Sequence, residues 1–134
     1  MKKNKKKMIR FGILVSLLVL LGGCASGMHG YTKARAQNKY MEVSEERQSF
    51  GFKRIGYIKG FRGDAIVDFI VEKGLPDYLY EYEKNGREGF IFYYIKLEKA
   101  FDFIERNWRP TSVEIVEIRE FTDFERDRFG IKKK

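Results

Sequence analysis

The sequence predicts an α+β fold, with one main helix packed on a small three- or four-stranded antiparallel sheet. Three observations predict it. A helix-period segment near residues 64–73 is framed by start and stop signals. Two β-rich runs flank Asn85-Gly86, the dipeptide that most strongly signals a short hairpin. The run Phe90 to Ile95 is apolar on both of its faces, as a central strand between two packed layers must be. A sheet with one face covered by a helix closes such a chain.

The elements follow in order. "SFGFKRIGYIKGFRG" alternates aromatic or aliphatic residues with glycine and cations, which predicts a short irregular strand around Arg54 to Lys59. Asp64 is placed to cap a helix whose Ile66, Phe69 and Ile70 share a face and which Gly74 and Pro76 stop. A strict two-residue turn at Asn85-Gly86 would set Lys84 opposite Arg87 and Glu83 opposite Glu88. These like-charge pairs predict a longer loop or a bulge instead. A second turn near Leu97 to Lys99 returns the chain through Ala100 to Ile104. "RNWRPTS" reads as a loop, since Pro110 is excluded from a central strand. In "VEIVEIREF" the apolar pattern slips phase between Ile115 and Val116, predicting a bulged final strand. Thr122 with Glu125 predicts a capped terminal helix, and "GIKKK" a frayed end.

The first residues follow a different logic. Lys2, Lys3, Lys5, Lys6, Lys7 and Arg10 form a cationic start without an acid, and an apolar run follows from Phe11 to Leu21. These are the two leading regions of a secretory signal peptide. A run of roughly 11 to 13 residues rises about 20 Å as a helix, whereas a bilayer span needs roughly 20 residues. Leu21-Gly22-Gly23-Cys24 then resembles the lipobox of bacterial lipoprotein precursors. That resemblance implies that Leu21, Gly22 and Gly23 are recognised by processing enzymes. It further implies that Cys24 receives a diacylglycerol and becomes the new, acylated amino terminus. An uncleaved signal anchor and a core cysteine are the alternatives for Cys24. The expected organisation is a signal peptide at 1–23, the lipidated cysteine and a tether at 24–48, an α+β domain at 49–130 and a basic tail at 131–134. The positive flank keeps the start cytoplasmic and everything after Cys24 outside.

Processing also changes the charge argument. The full chain of 134 residues carries +8, but six of its 27 basic residues precede Cys24. The 111 residues from Cys24 onward hold 21 basic and 19 acidic groups, so no nucleic-acid partner is expected. Cys24 is the one cysteine and His29, in the expected tether, the one histidine. Neither a Cys/His catalytic pair nor a nitrogen–sulfur metal cluster is therefore expected. Asp64, Asp68 and Glu72 recur at intervals of four and read as a solvated helix face. No catalytic residue, metal or cofactor is expected beyond the covalent lipid. Phe50, Phe52, Tyr57, Phe61 and Trp108 form the expected contact surface, because aromatic residues concentrate at interface centres.

"GDAIVDFIVEKGLP" also resembles the signature of the SmpA/OmlA-type small lipoprotein domain: a glycine, a helix, then Gly-x-Pro before aromatic strands. Asp64 and Lys73 depart from that pattern. The resemblance implies a lipid-tethered α+β domain associated with the outer-membrane β-barrel assembly machinery. The functional expectation is an exported, lipid-anchored, non-catalytic interaction or structural module at the cell envelope. Its partners would be the membrane and an envelope protein, with the outer membrane preferred where a cell has one. The alternative is an envelope protein that binds a small ligand or glycan on an aromatic sheet surface.

Overall fold

The computed structural model describes residues 32–106 and 109–132, apart from the side chains at 61–62 and 109–111. Contacts divide the chain into Met1–Arg35 and Ala36–Lys134, and every element named below belongs to the second unit. The expected signal peptide, Cys24, His29 and Trp108 lie outside the described residues.

Five strands form one antiparallel sheet in sequence order: β1 (Tyr40–Glu42), β2 (Tyr78–Lys84), β3 (Arg87–Tyr94), β4 (Lys99–Arg106) and β5 (Arg109–Glu120). Among the described residues 32–36 are helical, and three helices lie wholly within the second unit: α1 (Phe50–Arg62), α2 (Asp64–Lys73) and α3 (Asp123–Arg128). The fold is α+β as predicted, with an added strand and an added long helix.

The added helix corrects the reading of Arg54 to Lys59 as a strand. Ser49 begins α1 by accepting the Phe52 N–H at 3.1 Å, while its hydroxyl donates to the Glu42 carbonyl at 2.8 Å. Ile55 and Ile58, one turn apart, are buried. Burial of that stripe outweighs the helix cost of the three glycines, each about 1 kcal/mol relative to alanine. The added strand is β1, within the segment read as a tether. Met41 is 7% exposed and pairs with Leu79, so the folded unit starts before residue 49.

α2 matches its prediction to within one residue. Gly63 takes the cap position and Asp64 opens the helix without a side-chain cap bond, still favoured there by the helix dipole. Ile66 and Ile70 are buried, and Phe69 meets Phe101 and Phe103 edge-on at 5.1 and 5.0 Å. The Gly74 N–H closes on the Ile70 carbonyl, and the Gly74 carbonyl accepts from Tyr94 Oη at 2.8 Å.

The hairpin corrects the prediction of a longer loop, because Lys84 does face Arg87 and Glu83 faces Glu88. Asn85 (φ 53°) and Gly86 (φ 71°) adopt the left-handed conformations that match strand twist in a two-residue turn. Glu83 and Lys84 are exposed, so water screens the repulsion. The predicted bulge is present: Asp102 pairs with Glu117 and Phe103 with Ile115, which leaves Val116 as the extra residue. Pro110 lies within β5, an edge strand where a missing N–H is tolerated. At the other end, Ile131 packs against the core and its N–H donates to the Arg126 carbonyl, so the frayed end starts later than expected.

Alternation along β3 serves two cores. Phe90, Phe92 and Tyr94 join Leu79, Phe101, Phe103, Ile55, Ile58, Ile66 and Ile70 under α1 and α2. Tyr93 on the opposite face joins Ala100 and Phe121, with Phe129 and Ile131 from the C-terminal segment. A residue run apolar on both faces thus has a layer on each side.

Candidate functional site

The face of the sheet beneath α3 carries most of the described polar chemistry. Thr122 caps α3 by accepting the Glu125 N–H, and Glu125 returns by accepting the Thr122 N–H at 2.8 Å. The same carboxylate receives both arms of Arg119 from β5, each at 2.7 Å, and the Tyr93 hydroxyl at 2.9 Å. Glu125 is 3% exposed. Burial raises its pKa, but the Arg119, Thr122 and Tyr93 hydrogen bonds outweigh burial and hold it below the ordinary value. Burial and the neighbouring Glu125 charge push Tyr93 well above an ordinary phenol. This cluster is locked in one charge state and ties β5, β3 and α3 together.

A second tyrosine–carboxylate pair lies on the same face. Tyr82 on β2 crosses Gly89, its partner on β3, and donates to Asp102 Oδ1 on β4 at 2.6 Å. A Cβ on Gly89 would collide with the end of the Tyr82 ring, so glycine is what lets the ring lie across this position. Burial raises the Asp102 carboxyl above its ordinary value, against the Tyr82 hydrogen bond and the charge of Arg119, which favour the ion. Asp102 is therefore the better placed of these two carboxyls to exchange a proton. Among the described residues no group of three or more His, Cys, Asp or Glu is placed to hold a metal ion.

On the helix-covered face, Arg54 of α1 is 2% exposed and grips Glu81 with two hydrogen bonds of 2.8 and 2.6 Å. Its guanidinium also lies 5.5 Å from the Tyr57 ring centre. This buried bidentate pair fixes α1 on β2 and is structural in character.

Four of the five aromatic residues expected to make a contact surface lie on one helix. Phe50, Phe52 and Tyr57 all lie on α1, each only half-buried, and Phe50 packs against the core beneath the helices. Phe61 belongs to α1, but its side chain is among those not described, and Trp108 is outside the described residues. The aromatic platform of the alternative reading is largely taken by the chain itself. Tyr78 stacks on Phe129 at 4.4 Å, and Tyr40 meets Phe129 edge-on at 5.6 Å and Tyr80 at 4.8 Å.

Three exposed aliphatic residues lie together on the edge strand, while Val71, Leu97 and Phe124 are exposed singly. Ile115, Val116 and Ile118 on β5 are 45, 58 and 57% exposed. Ile115 and Ile118 stand beside Phe103 and Phe101, on the face that α1 and α2 cover further in. Sequence reading caught the phase slip at these positions but not their exposure, which follows from β5 being the sheet edge. The Thr122-x-x-Glu125 signal located Glu125 but not Arg119. Nothing in the sequence pairs Tyr82 with Asp102, twenty residues away.

No family model, no curated protein and no solved structure matches the chain.

Proposed function

We propose that the protein is an exported lipoprotein, anchored by lipid on Cys24, which acts at the cell envelope as a non-catalytic interaction or structural module. The observation that carries this reading is the unbroken series of cationic start, apolar run and Leu21-Gly22-Gly23-Cys24. Two features of the fold support it. Glu125 and Glu81, the carboxylates held by arginine in the two cores, serve to fasten helices to the sheet. The edge strand β5 presents an aliphatic strip to solvent, a feature that favours contact with another protein over a buried ligand site. The aromatic face is filled by Phe129, which weighs against the small-ligand reading. The outer membrane is the preferred location where the cell has one.

Fractionation of cells carrying the wild type or Cys24→Ser tests the anchor. The wild type should sediment with envelope membranes as a shortened, acylated chain, while the variant should keep residues 1–23 and carry no acyl mass. A wild type that migrates and extracts as the unprocessed variant does would overturn the reading.

A further inference from the structure

We propose that α1 lies on the lipid surface to which the chain is anchored, with Lys53 and Lys59 against anionic headgroups. This inference rests on Cys24 being the lipidated residue. The first argument is length. The folded unit begins at Ala36, so only residues 25–35 separate it from Cys24, less than half of the tether expected from sequence. Eleven residues reach at most about 38 Å when extended. Residues 32–36 are helical, which shortens that limit to about 30 Å, close to the dimensions of a domain of this size. A unit held so closely has a face at the headgroups.

The second argument identifies that face. Ala36 is fully buried in the core beneath α1 and α2. Gln37 bridges Glu81, whose carboxylate holds Arg54 of α1. The first residues of the folded unit therefore lie beside the Arg54–Glu81 pair that seats α1, while α2 sits over β4 through Phe69.

The third argument is composition. α1 has no acidic residue. Arg54 is turned inward to Glu81, whereas Lys53 and Lys59 are exposed. Gly56 and Gly60 are exposed as well, and nothing lies within 4 Å of a Cβ at either, so the surface between the lysines is low and open. Phe52 and Tyr57 flank it half-buried, and amphipathic aromatic rings beside lysine suit the headgroup region. Glu45 and Glu46 before the helix and Asp64 and Asp68 after it delimit the contact to residues 52–60. Two lysines alone would bind a membrane weakly. The anchor makes the contact intramolecular, at an effective concentration on the order of millimolar, so weak intrinsic affinity is enough.

The test uses the mature lipidated protein in vesicles of phosphatidylcholine, with or without phosphatidylglycerol. Gly56→Cys places a fluorophore on α1, and Asp127→Cys places one on the exposed side of α3. With phosphatidylglycerol present, a headgroup quencher should dim the residue-56 probe several-fold more than the residue-127 probe. The difference should vanish in Lys53→Glu/Lys59→Glu while the protein still sediments with the vesicles. Equal quenching at both positions in sedimenting protein overturns the membrane contact and leaves the anchor intact, which assigns α1 to a protein partner instead. Quenching that ignores phosphatidylglycerol or survives the charge reversal overturns the role of the lysines. Failure of the wild type to sediment overturns the contact and the anchor together.

Discussion

Glu125 and Asp102 lie over one face of the same sheet, and each accepts a hydrogen bond from a tyrosine hydroxyl, at 2.9 and 2.6 Å. Their charges are nevertheless held in opposite directions. Glu125 also receives both arms of Arg119 and a backbone N–H, and its pKa falls despite burial. Asp102 has Tyr82 as its close donor, and burial raises its pKa. A tyrosine donor alone does not bring a half-desolvated carboxylate below its ordinary pKa; a guanidinium and an amide added to it do. One carboxylate is therefore a fastening, and the other is a cost that the fold tolerates.

The sharpest way to break this contrast is to remove the guanidinium. Arg119→Ala should lower stability by about 3–5 kcal/mol, since it leaves Glu125 buried and uncompensated. Urea unfolding would measure the loss, and a change below 1 kcal/mol would refute the role given to the pair. Glu125→Gln keeps the shape and loses the charge-assisted bonds, with an expected cost of about 1.5–3 kcal/mol at neutral pH. Gly89→Ala should cost about 1–3 kcal/mol, because the Tyr82 ring must leave its place and release Asp102. Asp102→Asn should be the mildest, within about 0.5 kcal/mol of wild type or slightly more stable, because it removes a desolvated charge.

Acid sharpens the same comparison. Glu125 has a folded pKa below its unfolded value of 4.5, so its stabilisation is present above 4.5 and is lost as pH falls through the folded pKa. Asp102 has a folded pKa above its unfolded value of 3.8, so its cost is present at neutral pH and is relieved as pH falls toward 3.8. The stability gap between wild type and Glu125→Gln should therefore narrow below pH 4.5. The gap between wild type and Asp102→Asn should move in the opposite sense. Parallel pH profiles for the two variants would contradict the assignment.

The parts of the fold legible in sequence are those whose cause is local. Gly74 and Pro76 stop α2, Asn85-Gly86 turns the hairpin, Thr122 and Glu125 build a capping box, and the slip at Ile115 and Val116 marks a bulge. The parts that were not legible depend on partners far along the chain. α1 alternates like a strand and is a helix because Ile55, Ile58 and Arg54 find their places on the sheet. β1 has three residues in a polar stretch and is a strand because β2 pairs with it. The like charges at the hairpin argue against a two-residue turn, yet such exposed pairs cost less than the turn geometry supplies. For the candidate site, sequence named Glu125 through its cap, while Arg119, Tyr82 and Asp102 needed the strand registers to bring them together.

The central claim is that Cys24 is the lipid-bearing start of the mature protein, and intact mass of the membrane-purified wild type tests it most directly. The expected mass lacks residues 1–23 and includes the added acyl groups, and Cys24→Ser should show neither change. A wild-type mass that retains Met1 with an unmodified thiol would contradict the claim, restore the basic N-terminus to the protein and leave it a signal-anchored or cytoplasmic chain instead.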